Sequence, residues 1–404
     1  MPYTGGSWKG SSVSLGNVEH QPYAQRLIQR AVARGRVPHA YLFHGPDGVG
    51  KERLAVGLGQ LLLCSAPVEQ KLDSEQAHEA GVERLYAGCG VCEECRAIAH
   101  RTHPDLHLVY RQLNREHPDP VVRKRKALEI GVDVLRHFVI EKVGLTPIRG
   151  RAKVFVIREA ERMTVQAQNA LLKTLEEPPG TTFIILLVAA LDCLLPTTLS
   201  RSQVVSFDGL PTEFVRTKLA ELSPDLAPDE VTWYARFSDG SLGRALEYAD
   251  DEFYGLNQRL LEGLISMVRT ADSGAAGRRD DVLVKEWTEE SKSLGGRYRK
   301  RDPDITDTEA GRRGLKSIFQ LAAAWYADIL RVASRNESAI VNANHKTEIK
   351  QASRSLDAPL AVKAINRIAR AERQLDLNAN TQLCVETLLS DLSKIARRAT
   401  APAA

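Results

Sequence analysis

Residues 44–52 read His-Gly-Pro-Asp-Gly-Val-Gly-Lys-Glu, a phosphate-binding loop that departs from its pattern only at the last position. Gly45, Gly48 and Gly50 let backbone N–H groups curl around a polyphosphate, and Lys51 supplies a cation for its outer phosphates. The next residue should be Ser or Thr, whose hydroxyl is a direct ligand of Mg²⁺. Here it is Glu52. A second group, Cys89, Cys92 and Cys95, packs three thiols into seven residues, with Cys64 upstream. Cys-x₂-Cys spacing lets thiolates of one tight turn reach the same tetrahedral metal, so a structural zinc site is expected. Cys64 is the natural fourth ligand, with His100 and His103 as competitors; a metal-free set of redox or buried thiols is the alternative. Cys193 and Cys384 stand alone and read as inert. A third group is Arg158-Glu159 at the end of the apolar run 154–157. Active phosphate-loop ATPases carry Asp-Glu at such a strand tip, the Asp holding Mg²⁺ and the Glu polarising the attacking water. An arginine beside a divalent cation is electrostatically wrong.

The elements needed to position these residues are also readable. The run 40–43, Ala-Tyr-Leu-Phe, is a buried strand entering the glycines. Residues 52–63 follow with apolar positions at 54, 55, 58, 61 and 62, a helical spacing. Strand, glycine loop and helix form the phosphate-loop unit, against which a chance glycine turn is the bland alternative. Glu52 and Arg158 replace groups that normally face each other through Mg²⁺. They are expected either to pair in the metal's place or to turn to solvent.

Composition fits a soluble globular chain, since 43% apolar and 26% charged residues are ordinary values. A net charge of +4 is too small to argue nucleic acid by itself. The start of the chain is polar and rich in Gly and Ser, and the longest apolar run, 183–191, is about half of the ~20 residues a membrane span needs. The expectation is a cytoplasmic protein with no membrane partner.

The order of several motifs resembles the bacterial clamp-loader subunits of DNA polymerase III, within the AAA+ superfamily. These are the stretch 39–43, the phosphate loop, the cysteine turn, His103-Pro-Asp105, Asn169-Ala-Leu-Leu-Lys-Thr-Leu-Glu-Glu-Pro-Pro179 and Leu195-Pro-Thr-Thr-Leu-Ser-Arg201. The resemblance covers about the first 250 residues. It implies an α/β P-loop AAA+ domain, a parallel sheet flanked by helices, with a zinc module. A helical lid and an all-α C-terminal collar domain follow. The broken loop and strand tip point to the non-hydrolysing delta-prime branch of the family. Where motor subunits carry a polar phosphate sensor this chain has Ala189 and Ala190, and where they carry the lid arginine it has Gly243, with Arg244 one residue late. The resemblance makes Arg201 an arginine finger acting in trans on a neighbour's ATP, with Ser202 replacing the family's cysteine. ATP or ADP binding without hydrolysis stays possible, and Mg²⁺ is not expected. Motor and delta-type subunits are the implied partners through collar and AAA+ interfaces, with the sliding clamp and primed DNA in the assembled complex. A drifted motor that still hydrolyses ATP through Glu159 and Lys51 is the competing reading, and a zinc-dependent nucleic-acid-binding module is a third.

The domains are expected at 1–207 for the AAA+ part, with the zinc module near 64–95, at 208–250 for the lid, at 251–303 for a linker helix and loops, and at 304–404 for the collar. Residues 65–88, rich in Glu, Gln and Ala, read as a partly helical or mobile excursion. The basic run 123–126 reads as a solvated loop with phosphate contact as the alternative. Residues 274–279 and 295–303 read as breaks bracketing the linker helix. Trp325, Leu330, Ile365, Ile368, Leu375, Leu383 and Leu388 are the expected collar core.

Overall fold

The computed structural model describes residue 15 and residues 18–73, 82–149, 151–269 and 276–400. Apart from Leu15, the Gly/Ser-rich start of the chain lies outside them. Two compact units are present, residues 5–211 and residues 212–404.

The first unit is built on a parallel sheet of β1 (Ala40–His44), β4 (Leu106–Val109), β5 (Lys153–Ile157), β6 (Thr182–Val188) and β7 (Gln203–Ser206). Its spatial order is β4-β5-β6-β1-β7, so the first strand of the chain lies inside the sheet, between β6 and β7. Strands buried on both faces need continuous apolar sequence, and β5 is buried along its whole length. Side chains alternate between faces. Leu42, Phe155, Ile157, Ile184 and Leu186 enter one core with Leu135, Val139 and Leu171 of the covering helices. On the other face lie α1 (Pro22–Ala33) and α2 (Lys51–Leu63). α2 packs closely, since a Cβ at Gly59 would lie 3.1 Å from Leu106 Cδ1.

The segment 65–88 differs from its expected helical or mobile form. Its described part is an antiparallel hairpin, β2 (Val68–Lys71) with β3 (Arg84–Ala87), and residues 74–81 lie outside the described residues. Its strands are largely exposed, which removes the apolar alternation that would have signalled them. The buried Gln29 of α1 fixes the hairpin by exchanging two hydrogen bonds with the Tyr86 backbone, at 2.8 and 2.9 Å. The short helix α3 (Glu93–Ala99) follows the cysteine turn, and α4 (Val165–Glu176) precedes β6.

The second unit is helical. α5 (Thr212–Leu222) and α6 (Pro228–Phe237) come first, parted around Pro224 and Pro228, and α7 (Leu242–Asp250) follows the Ser-Asp-Gly-Ser segment 238–241. Then come α8 (Phe253–Arg269), α9 (Ala276–Arg301), α10 (Asp307–Ala333), α11 (Lys346–Ser355), α12 (Ala358–Asp376) and α13 (Thr381–Thr400). The break expected at 295–303 is instead mostly helix, because α9 continues to Arg301. Of the break expected at 274–279, residues 274–275 lie outside the described residues and 276–279 belong to α9. Two glycines weaken a helix by about 1 kcal/mol each relative to alanine. Here Gly295 lies against the backbone of α10, where a Cβ would stand 3.0 Å from Ala310 C, and close helix packing overrides propensity.

Of the expected collar core, Trp325, Ile368, Leu375 and Leu388 are buried, whereas Leu330 and Ile365 are half-buried. Leu383 is 61% exposed, because the buried stripe of α13 runs through Cys384, Val385, Leu388, Leu389 and Leu392, one position out of phase with it. A buried polar chain joins α6 to this bundle. Trp233 Nε1 and Asn257 Nδ2 both donate to Asn342 Oδ1, at 3.0 and 2.8 Å, and Asn342 Nδ2 donates to Asp328 Oδ2 at 2.8 Å. Among the described residues no helix is long and apolar enough to cross a membrane.

Candidate nucleotide site, cysteine cluster and arginine edge

The glycine loop leaves the C-terminal end of β1, the edge of a parallel sheet where ligands bind. Its conformation needs glycine at two places. Gly45 has φ +149°, and a Cβ there would collide with the Phe207 carbonyl oxygen. Gly50, φ +104°, forms the N-cap of α2, where a Cβ would stand 3.2 Å from Val18 Cγ1. Lys51 is 6% exposed, and its ammonium donates to the carbonyls of Gly45 and Pro46 and pairs with Asp47 Oδ1 at 3.1 Å. The loop's cation therefore already faces an acid of the same loop.

Glu52 and Arg158 pair directly, from the start of α2 to the tip of β5. Both are partly buried, with side chains 30% and 25% exposed. Arg101, just beyond α3, approaches the same Glu52 oxygen at 3.7 Å. The Arg158 guanidinium also lies over the Tyr110 ring, 5.8 Å from its centroid, a cation–π distance. Two guanidinium groups thus flank the carboxylate that stands in place of the magnesium hydroxyl. Glu159, the remaining strand-tip acid, has φ +47° and is engaged at both oxygens, by Arg111 Nε at 3.1 Å and Arg162 Nε at 3.0 Å. Each oxygen of this carboxylate therefore already faces a guanidinium of its own chain. Beside it, the Glu161 carboxyl is pushed up by burial, and the charges of Asp47 and Glu159 add to this against hydrogen bonds from the Glu161 and Ala189 amides.

The sulfurs of Cys64, Cys89, Cys92 and Cys95 all lie within 4.8 Å of one another. Cys64 Sγ is 3.7 Å from Cys92 Sγ, and Cys89 Sγ is 4.0 Å from Cys95 Sγ. A tetrahedron with Zn–S bonds of ~2.3 Å has edges of about 3.8 Å, so the set fits a metal ion such as zinc. Backbone amides of Cys89, Cys92 and Cys95 donate to the sulfurs of Cys64, Cys89 and Cys92 at 3.3–3.4 Å, support that suits thiolates. Burial pushes the Cys64 and Cys95 thiols up. At Cys92 burial is outweighed by hydrogen bonds from Ser65 and from the Cys95 amide, which bring it down to about 5. A Cβ at Gly88 would crowd Gln60 and Cys95 Sγ, at 2.8 and 3.1 Å.

The histidines weighed as ligands stand apart from this group among the described residues. His103 is buried and its Nε2 lies 2.7 Å from Glu94 of α3, while its Nδ1 accepts from the Asp105 amide. Asp105 in turn accepts from the amides of Ile148 and Arg149, both at 2.8 Å. His103-Pro-Asp105 is thus a fastening between the cysteine module, β4 and the loop before β5. Cys193 is exposed and Cys384 buried, both free thiols.

Arg201 lies on a different part of the same unit, just after the short helix Pro196–Leu199. It pairs with Glu176 and donates from Nη1 to the Thr197 carbonyl at 3.0 Å. Gln168 of α4 fixes the segment leading to it. Its Oε1 accepts from the Leu195 amide at 2.8 Å, and its Nε2 donates to the carbonyls of Met163 and Cys193, both at 3.3 Å. Ala189 and Ala190 follow β6 with no side-chain hydrogen-bonding group, and Gly243 and Arg244 stand in the first turn of α7 in the helical unit. Sequence reasoning missed Arg101, Arg111, Gln168 and Glu176. Only Glu176 lay within a motif already singled out.

Residues 20–211 match the family described as DNA polymerase III, delta subunit. The chain is 25% identical to DNA polymerase III subunit delta' of Bacillus subtilis over 95% of its own length and 97% of that protein. It is 37% identical to the subunit delta' of Pseudomonas aeruginosa, over 45% of this chain and 46% of that one. It is also 29% identical to DNA polymerase III subunit tau of Salmonella typhimurium, over 70% of this chain and 40% of that protein. The chain therefore spans less than half the length of the second and third of these relatives.

Proposed function

The chain belongs to the clamp-loader subunits of bacterial DNA polymerase III, and on that footing we propose that it is a non-hydrolysing, delta-prime-type subunit lending Arg201 to ATP held by a neighbouring motor subunit. One observation carries the reading. The groups at the positions that would handle phosphate, magnesium and water are each paired within the fold, Lys51 with Asp47, Glu52 with Arg158 and Glu159 with Arg111 and Arg162. The motor reading requires a Glu159 free to polarise water, and both its oxygens are occupied. Arg201 stands at 31% side-chain exposure, accessible to another chain. A guanidinium suits the role because it is planar, permanently charged and able to bridge phosphate oxygens as negative charge develops.

The four cysteines would hold a structural Zn²⁺ with no open coordination position, supplying cross-linking rather than chemistry. The AAA+ part at 1–207 and the collar at 304–404 would join the motor and delta-type subunits, and the assembled complex would act on the sliding clamp and primed DNA in the cytoplasm. Nucleotide bound without magnesium is compatible with this reading; hydrolysis by this chain is not. The test is ATP turnover of a complex reconstituted with the motor subunit. Arg201→Ala should remove the stimulation that this chain provides while leaving assembly intact, and Lys51→Ala should leave it unchanged. The reverse pattern, or turnover by the isolated chain that falls on Lys51→Ala, makes the chain a motor.

A further inference from the structure

The Arg201 guanidinium is already occupied. Nε lies 2.5 Å from Glu176 Oε1 and Nη2 pairs with the same oxygen, while Nη1 donates to the Thr197 carbonyl and to Ser200 Oγ at 3.0 and 3.4 Å. The Nε–Nη2 edge is the one with which arginine grips planar carboxylates and phosphates. Here a carboxylate of the same chain fills it. Arg201 therefore cannot offer that edge to a phosphate without leaving Glu176.

The placement of Glu176 is unusual for helix chemistry. It is the last residue of α4, where the helix dipole presents negative charge and disfavours an acid. The same helix carries Gln168, which anchors the backbone leading to Arg201. α4 thus holds both the base of the arginine segment and its charged tip. The Glu176 side chain is 49% exposed and that of Arg201 31%, so the pair sits in solvent-screened surroundings where an ion pair is weak and readily exchanged.

We infer that Glu176 is a positioning residue that stands in for phosphate, holding Arg201 against its own domain until a triphosphate in the neighbouring subunit displaces it. This rests on the trans-acting role proposed for Arg201. Glu176 and the outermost phosphate compete for one guanidinium edge, so the pair raises the ATP concentration at which the shared site fires. It also keeps the charge of the arginine compensated when that site holds a nucleotide lacking the outermost phosphate.

The experiment is steady-state ATP hydrolysis by the complete complex, with the Arg201-dependent part taken as the difference between wild type and Arg201→Ala. Glu176→Gln keeps the shape of the side chain and removes its charge. It should lower the apparent KM for ATP of that part by about two- to fivefold, the weight of one exposed pair, with kcat within about twofold. In an Arg201→Ala background the same substitution should change nothing. Glu176→Asp, with charge retained, should stay closer to wild type, and thermal melting of each variant separates competition from damage to α4. A KM that is unchanged or raised by Glu176→Gln, or a loss of kcat at normal stability, overturns the competition. If Arg201→Ala itself leaves turnover unchanged, the trans-acting role fails first, and the competition fails with it.

Discussion

Two glutamate–arginine pairs in the first unit have opposite characters. Glu52–Arg158 joins two elements far apart in sequence, is about three-quarters buried on both sides, and is reinforced by Arg101 and the Tyr110 ring. Glu176–Arg201 is more exposed, its side chains being 49% and 31% accessible to solvent. A pair sheltered from water and held by several neighbours is costly to open, whereas an exposed pair exchanges its partner at little cost. The same two residue types therefore form a reinforced, partly buried pair between the glycine loop and the tip of β5, and a more exposed, exchangeable pair beside the helix Pro196–Leu199.

The contrast is broken most directly through function. Arg201→Ala should reduce turnover at the shared ATP site of the complex by on the order of 10³-fold or more, the range of arginine fingers. Arg158→Ala should leave that turnover within about twofold in the folded complex, because its guanidinium serves its own chain. Measurement of both variants in one reconstituted complex decides this. Similar losses for the two would erase the distinction.

The cysteine module is the next lever, because Arg101 follows its helix α3 and reaches Glu52. Cys92→Ser should lower the unfolding free energy by several kcal/mol, ~3, if the four sulfurs hold zinc. Chelation should reproduce the loss in wild type and add little in the variant. Denaturant unfolding with parallel metal analysis reads both. Unfolding indifferent to chelator would mean that the thiols pack without a metal.

How far these regions could be read from sequence follows from where their partners lie. The phosphate loop, the strand tip and the cysteine turn are local patterns, so Gly45 to Glu52, Arg158 and the Cys89–Cys95 group could be picked out without a fold. The pairing of Glu52 with Arg158 was one of two open possibilities, because 106 positions separate them and only the sheet brings them together. Arg101, Arg111 and Glu176 reach their partners across tertiary contacts and carry no spacing signal. Gly295 misled for a related reason: its meaning lies in the backbone of α10, which a reading of local propensity does not contain.

A smaller effect sharpens the sheltered side of the comparison. Glu52→Ala strips Arg158 of its carboxylate while Arg158 stays partly buried, and should cost about 1–2 kcal/mol, below the ~3–5 kcal/mol of a fully buried pair. Glu176→Ala should change stability by less than ~1 kcal/mol, since its partner is reached by water. Equal costs would mean that burial does not distinguish the pairs.

The smallest expected effect is a pH dependence at Glu161, next to the strand tip. Burial raises its carboxyl above the ordinary carboxylate value in the folded state, so the native protein binds the proton more tightly than the unfolded chain. The sign follows from linkage: the stability this group contributes is fully present below its unfolded value and is lost as pH rises through the raised folded value. Glu161→Gln fixes a neutral side chain there, and its stability relative to wild type should improve on going from pH 4 to pH 7. Denaturant midpoints of the two proteins across that range read the difference. A variant that loses ground to wild type as pH rises would show instead that the ionised carboxylate is favoured, with the Glu161 and Ala189 amides outweighing burial and the neighbouring acids.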